Sequence, residues 1–308
     1  MSNIKKNKSK HHIGILSTAR SITYEELMPA IQWIEQQGYT YEIGATIGIS
    51  EHQFAGTIRQ RADDLQRMLN NPEIDSIWCA RGGYGTVQIL DHIDFSPLQT
   101  HHKWIVGYSD VTALHAHLHT LGIPSIHATM PVNLSTNSPE ALQSLQHIFD
   151  HIPNAYHWTD PRHVHQAQHI EGTLIGGNLS VLYSLLGSPS AIDTAGKIVF
   201  VEDLDEYLYH IDRMLRNLDR NGLLAPLKAL IVGSFTQMHD NSVPFGKDAY
   251  QILADIAGHY GYPIIYGAPL GHIADNRAYM TGQRATLKLQ NNQIEFWQDA
   301  LSTQEDTP

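Results

Sequence analysis

Residues 104–114 read Trp-Ile-Val-Gly-Tyr-Ser-Asp-Val-Thr-Ala-Leu. An apolar run of strand character passes through Gly107 directly into a segment with a helical start near Asp110, which leaves Ser109 on the bend between them. Upstream the same alternation recurs. Ile13–Leu16 reads as a strand, Glu25–Gln37 as a helix stopped by Gly38, Tyr39–Ile43 as a second strand, and Thr57–Asn70 as a helix ending before Pro72. Ser76–Ala80 is a third strand, Arg81-Gly82-Gly83-Tyr84-Gly85 a turn, Thr86–Leu90 a helix start, and Lys103–Val106 a fourth strand. Short apolar strands separated by amphipathic stretches predict a doubly wound, mostly parallel sheet with flanking helices.

Downstream, the periodicity fades over a polar stretch that bears Pro and His, and it resumes in a different style. Glu171–Ile175, Lys197–Glu202, Ala229–Gly233, Pro263–Tyr266, Ala285–Leu289 and Gln293–Trp297 read as strands, with helices near Leu179–Leu186, Glu206–Asn217 and Ala249–Gly261. The expectation is an α/β chain with an N-terminal domain over 1–155, a linker over 156–168, and a smaller β-rich α/β domain over 169–308. A length of 308 residues allows two cores.

The composition is that of an ordinary globular protein, with 42% hydrophobic and 17% charged residues. A single cysteine, Cys79, cannot pair within the chain, and its place in an apolar strand reads as a buried small hydrophobe. The formal charge of -11 disfavours nucleic acid as a partner, because phosphate binding needs clustered basic residues. Lys5, Lys6, Lys8 and Lys10 are the one basic cluster and read as a solvated tail. The apolar stretch after them is too short for a secretory signal, and no stretch is long enough to span a membrane, so a cytoplasmic location is expected.

Three places could carry chemistry. Ser109, on its bend, either exposes a hydroxyl beside the positive end of a helix or caps that helix; Val111 stands where an esterase-type elbow has its second glycine. A reactive serine needs a base and a carboxylate to orient it. Most of the 20 histidines fall in polar clusters, such as His101/His102, His115/His117/His119 and His163/His165/His169, and read as surface residues. His115 and His119 lack companions at zinc-ligand spacing, so no metal is expected. His272 differs, since it lies in the turn-rich Ala268-Pro-Leu-Gly-His272 after a strand, as Glu202 ends another; either could also be plain solubility chemistry. The Arg81-Gly-Gly-Tyr-Gly85 turn is neither a Walker loop nor a dinucleotide fingerprint. It is a tight turn or an anion-binding concavity, with Arg81 arguing for a carboxylate ligand.

Taken together, Arg81-Gly-Gly-Tyr-Gly85, Gly107-Tyr-Ser-Asp110 with Thr112-Ala-Leu114, Gly176-Gly-Asn-Leu179, Glu202-Asp with Glu206 and Asp212-Arg213, and Gly271-His272 resemble the LD-carboxypeptidase family of serine peptidases. The resemblance spans most of the chain. It implies a Ser-Glu-His triad, with Ser109 on the N-terminal domain and Glu202 and His272 supplied across a cleft by the C-terminal one. It also implies an oxyanion hole from the N–H groups of Asp110 and Gly83, substrate contacts from Arg81, Gly82 and Asn178, no cofactor, and a homodimer. The implied activity is release of terminal D-alanine from cytoplasmic murein tetrapeptides in cell-wall recycling. An alternative within the resemblance is hydrolysis of peptidyl or acyl adenylates of the microcin C type, for which Trp104, Trp158 and Tyr207 could stack on a base. A reading outside the resemblance is a non-catalytic two-domain binder closing on a small anion through the Arg81 turn.

Overall fold

The computed structural model describes residues 11–300. The lysine cluster at 5–10 lies outside them. In chain order the first part comprises β1 (His12–Leu16), α1 (Tyr24–Gln37), β2 (Thr40–Ile43), α2 (Ile58–Asn70), β3 (Ser76–Cys79), α3 (Pro97–Thr100), β4 (Trp104–Gly107), α4 (Thr112–Thr120), β5 (Ser125–His127) and α5 (Pro139–Phe149). The remainder comprises β6 (Asn154–Thr159), β7 (His165–Asn178), α6 (Leu179–Ser184), β8 (Ile198–Leu204), α7 (Leu208–Arg220), β9 (Ala229–Thr236), α8 (Ala249–Ala257), β10 (Ile264–Tyr266), β11 (Tyr279–Thr281), β12 (Arg284–Asn291) and β13 (Gln293–Gln298).

The fold is mixed α/β, with two sheets and flanking helices. The first sheet runs β11-β5-β4-β3-β1-β2, its five N-terminal strands parallel. Strand order reverses between β1 and β3, and in such sheets ligands bind beyond the carboxyl ends of the strands at the reversal. The second sheet runs β10-β9-β8-β7-β12-β13-β6, parallel through β7 and antiparallel beyond it. Local sequence starts the helices as expected. Thr23 and Glu26 form a capping box at α1, Thr57 and Gln60 another at α2, and Gly38 closes α1 in the left-handed conformation.

The structure departs from the sequence expectation in four ways. The stretch 156–168, expected as a linker, contains most of β6 and the start of β7; β6 pairs with β13 and so belongs to the second sheet. Conversely β11, from the C-terminal half, pairs antiparallel with β5 and closes an edge of the first sheet. The Thr86–Leu90 helix start is a pair of short 3-10 turns. Lastly, His115 and His165 are buried. Both ring nitrogens of His115 are used, on Ser125 Oγ and Gly107 O at 2.8 Å each, and burial drives its pKa down to about 4. His165 Nε2 meets Asp160 at 2.8 Å. Cys79 is buried, with its thiol pushed up to about 12 by that burial. No helix among the described residues is long and apolar enough to cross a membrane.

One apolar cluster joins the two lobes. It runs from Leu65, Met68 and Cys79 through Val111 and Leu114 of the first to Ile175, Leu179, Val199 and Met214 of the second. At its centre α4 meets the end of β7. A Cβ at Gly177 would stand 2.5 Å from Thr112, and the Asn178 N–H donates to Thr112 Oγ1 at 3.0 Å. Thr112 is fully buried. Thr112→Val keeps its shape but orphans that N–H, so the unfolding free energy should fall by about 1–3 kcal/mol in denaturant melts while Thr112→Ser holds near wild type; equal melts for both variants would contradict this joint.

Candidate active site

β4 ends at Gly107, where a Cβ would press on Val111 at 2.9–3.1 Å, so the chain turns tightly and Ser109 begins a 3-10 turn that leads into α4. Ser109 is held at φ +61, a left-handed conformation that costs a non-glycine residue about 1–3 kcal/mol. It does not act as a side-chain cap for the helix, and its hydroxyl has no protein partner among the described residues. The bend is fixed from behind. Asp110 accepts from the Thr86 N–H at 2.8 Å, and the buried Arg61 donates to Gly85 O and Thr18 O at 2.8 Å each, which locks the glycine turn beside the serine. Gly82 lies so near that a Cβ there would be 3.2 Å from Ser109 Oγ. The N–H groups of Gly83 and Asp110 donate to no acceptor among the described residues.

Glu202 and His272 meet on the other lobe. Glu202, at the end of β8, is fully buried, and its Oε2 accepts from His272 Nδ1 at 2.7 Å. Gly271 makes this approach possible. It sits at φ +105, and a Cβ there would collide with Ser234 Oγ and stand 2.9 Å from Glu202 Oε2. Its N–H is held by Asn276 Oδ1 at 2.9 Å. Burial pulls the His272 pKa down, but the charge and hydrogen bond of Glu202, with Asp203 adding, outweigh it, so the pKa lies above the ordinary 6.5. Asp203 is pushed up to about 7, first by burial and then by the charge of Glu202.

Ser109 and His272 line one cavity of about 480 Å³ between the lobes, together with Arg20, Arg81, Gly82, Gly83, Asp110, Asn178, Asp203 and Glu206. Seven of the eight residues expected from the sequence line this cavity, and the eighth, Glu202, is buried behind His272. Two of them are already occupied. Arg81 Nη1 donates to Ser21 O and Glu26 Oε1 at 3.2 Å each. Asn178 caps α6 through Val181 N–H and donates to Asp203 at 2.9 Å.

Several lining residues escaped the sequence reading: Arg20, Tyr108, Asn133 and Asp205. The Tyr108 ring stands 4.8 Å from that of His272 and its hydroxyl donates to Asn133 at 3.1 Å. Arg20 and Asp205 follow strand ends, the one signal that could have flagged them.

The model of the LD-carboxypeptidase N-terminal domain matches residues 13–128, and that of the LD-carboxypeptidase C-terminal domain matches residues 171–287. The chain belongs to the LD-carboxypeptidase family. It is 32% identical over 284 residues to the probable murein peptide carboxypeptidase of Bacillus subtilis, covering 89% of this chain and 88% of that one. It is 30% identical over 286 residues to the murein tetrapeptide carboxypeptidase of Pseudomonas aeruginosa, covering 90% and 92%. The crystal structure of muramoyltetrapeptide carboxypeptidase from Oxalobacter formigenes superposes with a TM-score of 0.86 at 28% identity, covering 95% of this chain and all of that one. LD-carboxypeptidases are serine peptidases, and a serine on a strained bend facing a buried Glu–His pair suits that chemistry.

The electrostatics of the pair give a testable sign. By NMR titration the His272 imidazole should lose its proton above pH 6.5 in the wild type. In Glu202→Gln, where burial acts without the carboxylate, it should titrate below 6.5. An unmoved midpoint would mean that Glu202 does not set the charge of His272.

Proposed function

We propose that this chain is a serine carboxypeptidase that hydrolyses the L,D peptide bond of murein tetrapeptides and releases the terminal D-alanine, with Ser109, Glu202 and His272 as its triad. The observation that carries the proposal is the 2.7 Å contact between Glu202 and His272 Nδ1, which leaves Nε2 as the free nitrogen of an imidazole on the cavity that Ser109 also lines.

In this reading His272 Nε2 takes the proton from Ser109 Oγ as the oxygen attacks the scissile carbonyl, and Glu202 stabilises the imidazolium. The N–H groups of Gly83 and Asp110, both without a protein acceptor, receive the oxyanion, helped by the positive end of α4. The C–N bond then breaks, His272 protonates the departing amine, and water, activated by the same imidazole, releases the acyl group. Ser109 and His272 share the cavity without hydrogen-bonding to each other. In free enzymes such contacts are often long and tighten with substrate.

The alternative substrate, a peptidyl or acyl adenylate, would gain from an aromatic face for its base. Trp104 is buried in the first lobe's core, Trp158 donates to Tyr266 O, and Tyr207 packs at a tilt against Tyr209 and His239; none of the three lines the cavity. Tyr108, which does, already packs on His272. The lining thus favours the peptide. The names of the murein peptide carboxypeptidases support the same choice. The reading carries with it a cytoplasmic homodimer that serves cell-wall recycling, uses no cofactor, and engages neither nucleic acid nor membrane.

Ser109→Ala should lower D-alanine release from a murein tetrapeptide by about 10⁴-fold or more with the circular dichroism spectrum unchanged. A serine-directed phosphonate should label the wild type at Ser109 and leave that variant unlabelled. Undiminished release by Ser109→Ala would defeat the assignment.

A further inference from the structure

The N-terminal wall of the cavity carries two guanidinium groups, and they are in different states. Arg81 is committed to Ser21 O and Glu26. Arg20 is exposed, and no carboxylate or carbonyl among the described residues accepts from its guanidinium. Its backbone and stem are nevertheless fixed. The Arg20 N–H donates to Gly82 O at 3.3 Å, its carbonyl accepts from Ser17 Oγ at 2.6 Å, and its Cγ and Cδ lie over Gly83, where any Cβ would collide with them. Gly83 keeps φ +104 and so requires glycine twice over, for its backbone and for this stem.

The same turn touches Ser109 one residue earlier. Gly82 faces the serine and Gly83 faces the stem of Arg20, so the serine and the free cation flank adjacent residues of one turn and line the same cavity. The second lobe lines the cavity with Asp203, Asp205 and Glu206 and, among the described residues, offers no lysine or arginine there. A terminal carboxylate therefore finds its cation on the glycine-turn side of the cavity and not among the second-lobe carboxylates.

We infer that Arg20, and not Arg81, binds the terminal carboxylate of the substrate, with Arg81 and Glu26 acting as a pair that shapes the wall. A planar guanidinium with all its donors free fits a carboxylate through two parallel hydrogen bonds, which makes the free acid the ligand class and excludes amidated or extended peptides. This rests on the peptidase reading.

The test is calorimetric, in the Ser109→Ala background so that nothing is turned over, with a D-alanine-terminated tetrapeptide and its C-terminal amide as the two probes. The Ser109→Ala protein should bind the acid more tightly than the amide. Adding Arg20→Gln should weaken the acid about tenfold or more and leave the amide unchanged, whereas adding Arg81→Gln should leave the acid-to-amide ratio as it was. No preference for the acid, a preference that survives Arg20→Gln, or one that vanishes with Arg81→Gln would each overturn the inference. Wild-type turnover of the acid separates the two claims. Absent D-alanine release, together with an Arg20-dependent preference, would fell the peptidase reading and spare this one. Release combined with an Arg20-independent preference would do the reverse.

Discussion

The close meeting of Gly177 and Thr112 is the constraint on which the site depends. Thr112 opens the helix that follows Ser109, and Gly177 precedes Asn178, which lies directly beside Glu202 in the register of β7 and β8. Because no side chain intervenes at Gly177 and the Asn178 N–H is tied to Thr112, the end of one sheet is pinned to the helix start of the other. The apolar cluster around this contact crosses the boundary between the lobes, so their relative position is set by core packing, which resists deformation. The strand β11 adds a second tie, leaving the His272 loop to pair in the first lobe's sheet. A serine from one lobe and a histidine from the other then line one cavity.

The Glu202–His272 pair shows what this rigidity supports. Glu202 is fully buried, one oxygen on His272 and the other, Oε1, without a protein partner, as is the neighbouring Ser234 hydroxyl. A half-satisfied buried carboxylate is costly, on the order of 1–3 kcal/mol for the orphan acceptor alone. Its charge nonetheless raises both His272 and Asp203, against burial in the first case and along with it in the second. The result is a buried carboxylate whose charge lifts two neighbouring titratable groups, an arrangement more typical of sites than of scaffolds.

How much of this was legible in the sequence follows from which forces set each feature. Strands β3 and β4 are short apolar runs buried on both faces, and helices α1 and α2 carry capping boxes, so these are written locally. Ser109 was visible for the same reason, as a strand passes into a helix with no room for a loop. Strands β5, β6 and β11 were not visible: each has only three to six residues, and their pairing is decided by partners far away in the chain. The burial of His115 depends on Gly107 O and Ser125 Oγ, on the paired strands β4 and β5, both lying within reach of its ring, a fact no window of sequence contains. Both lobes also share a core where the sequence suggested two, because the apolar faces of α4 and α6 pack on each other and not only on their own sheets.

Arg20 and Arg81 show the same limit within the site. In sequence Arg81 stands in the glycine turn and Arg20 in an unremarked Ala-Arg-Ser, so motif logic favours Arg81. Geometry reverses the order, since Glu26, placed in the first turn of α1 by its own capping box, lies within 3.2 Å of Arg81 and leaves Arg20 unpaired. A carboxylate that approaches Arg81 must compete with one already bound, whereas at Arg20 it displaces only solvent. In a chain of net charge -11 an anionic ligand is repelled at long range, and a cation lining the cavity with no counter-ion among the described residues supplies the local attraction that such a ligand needs.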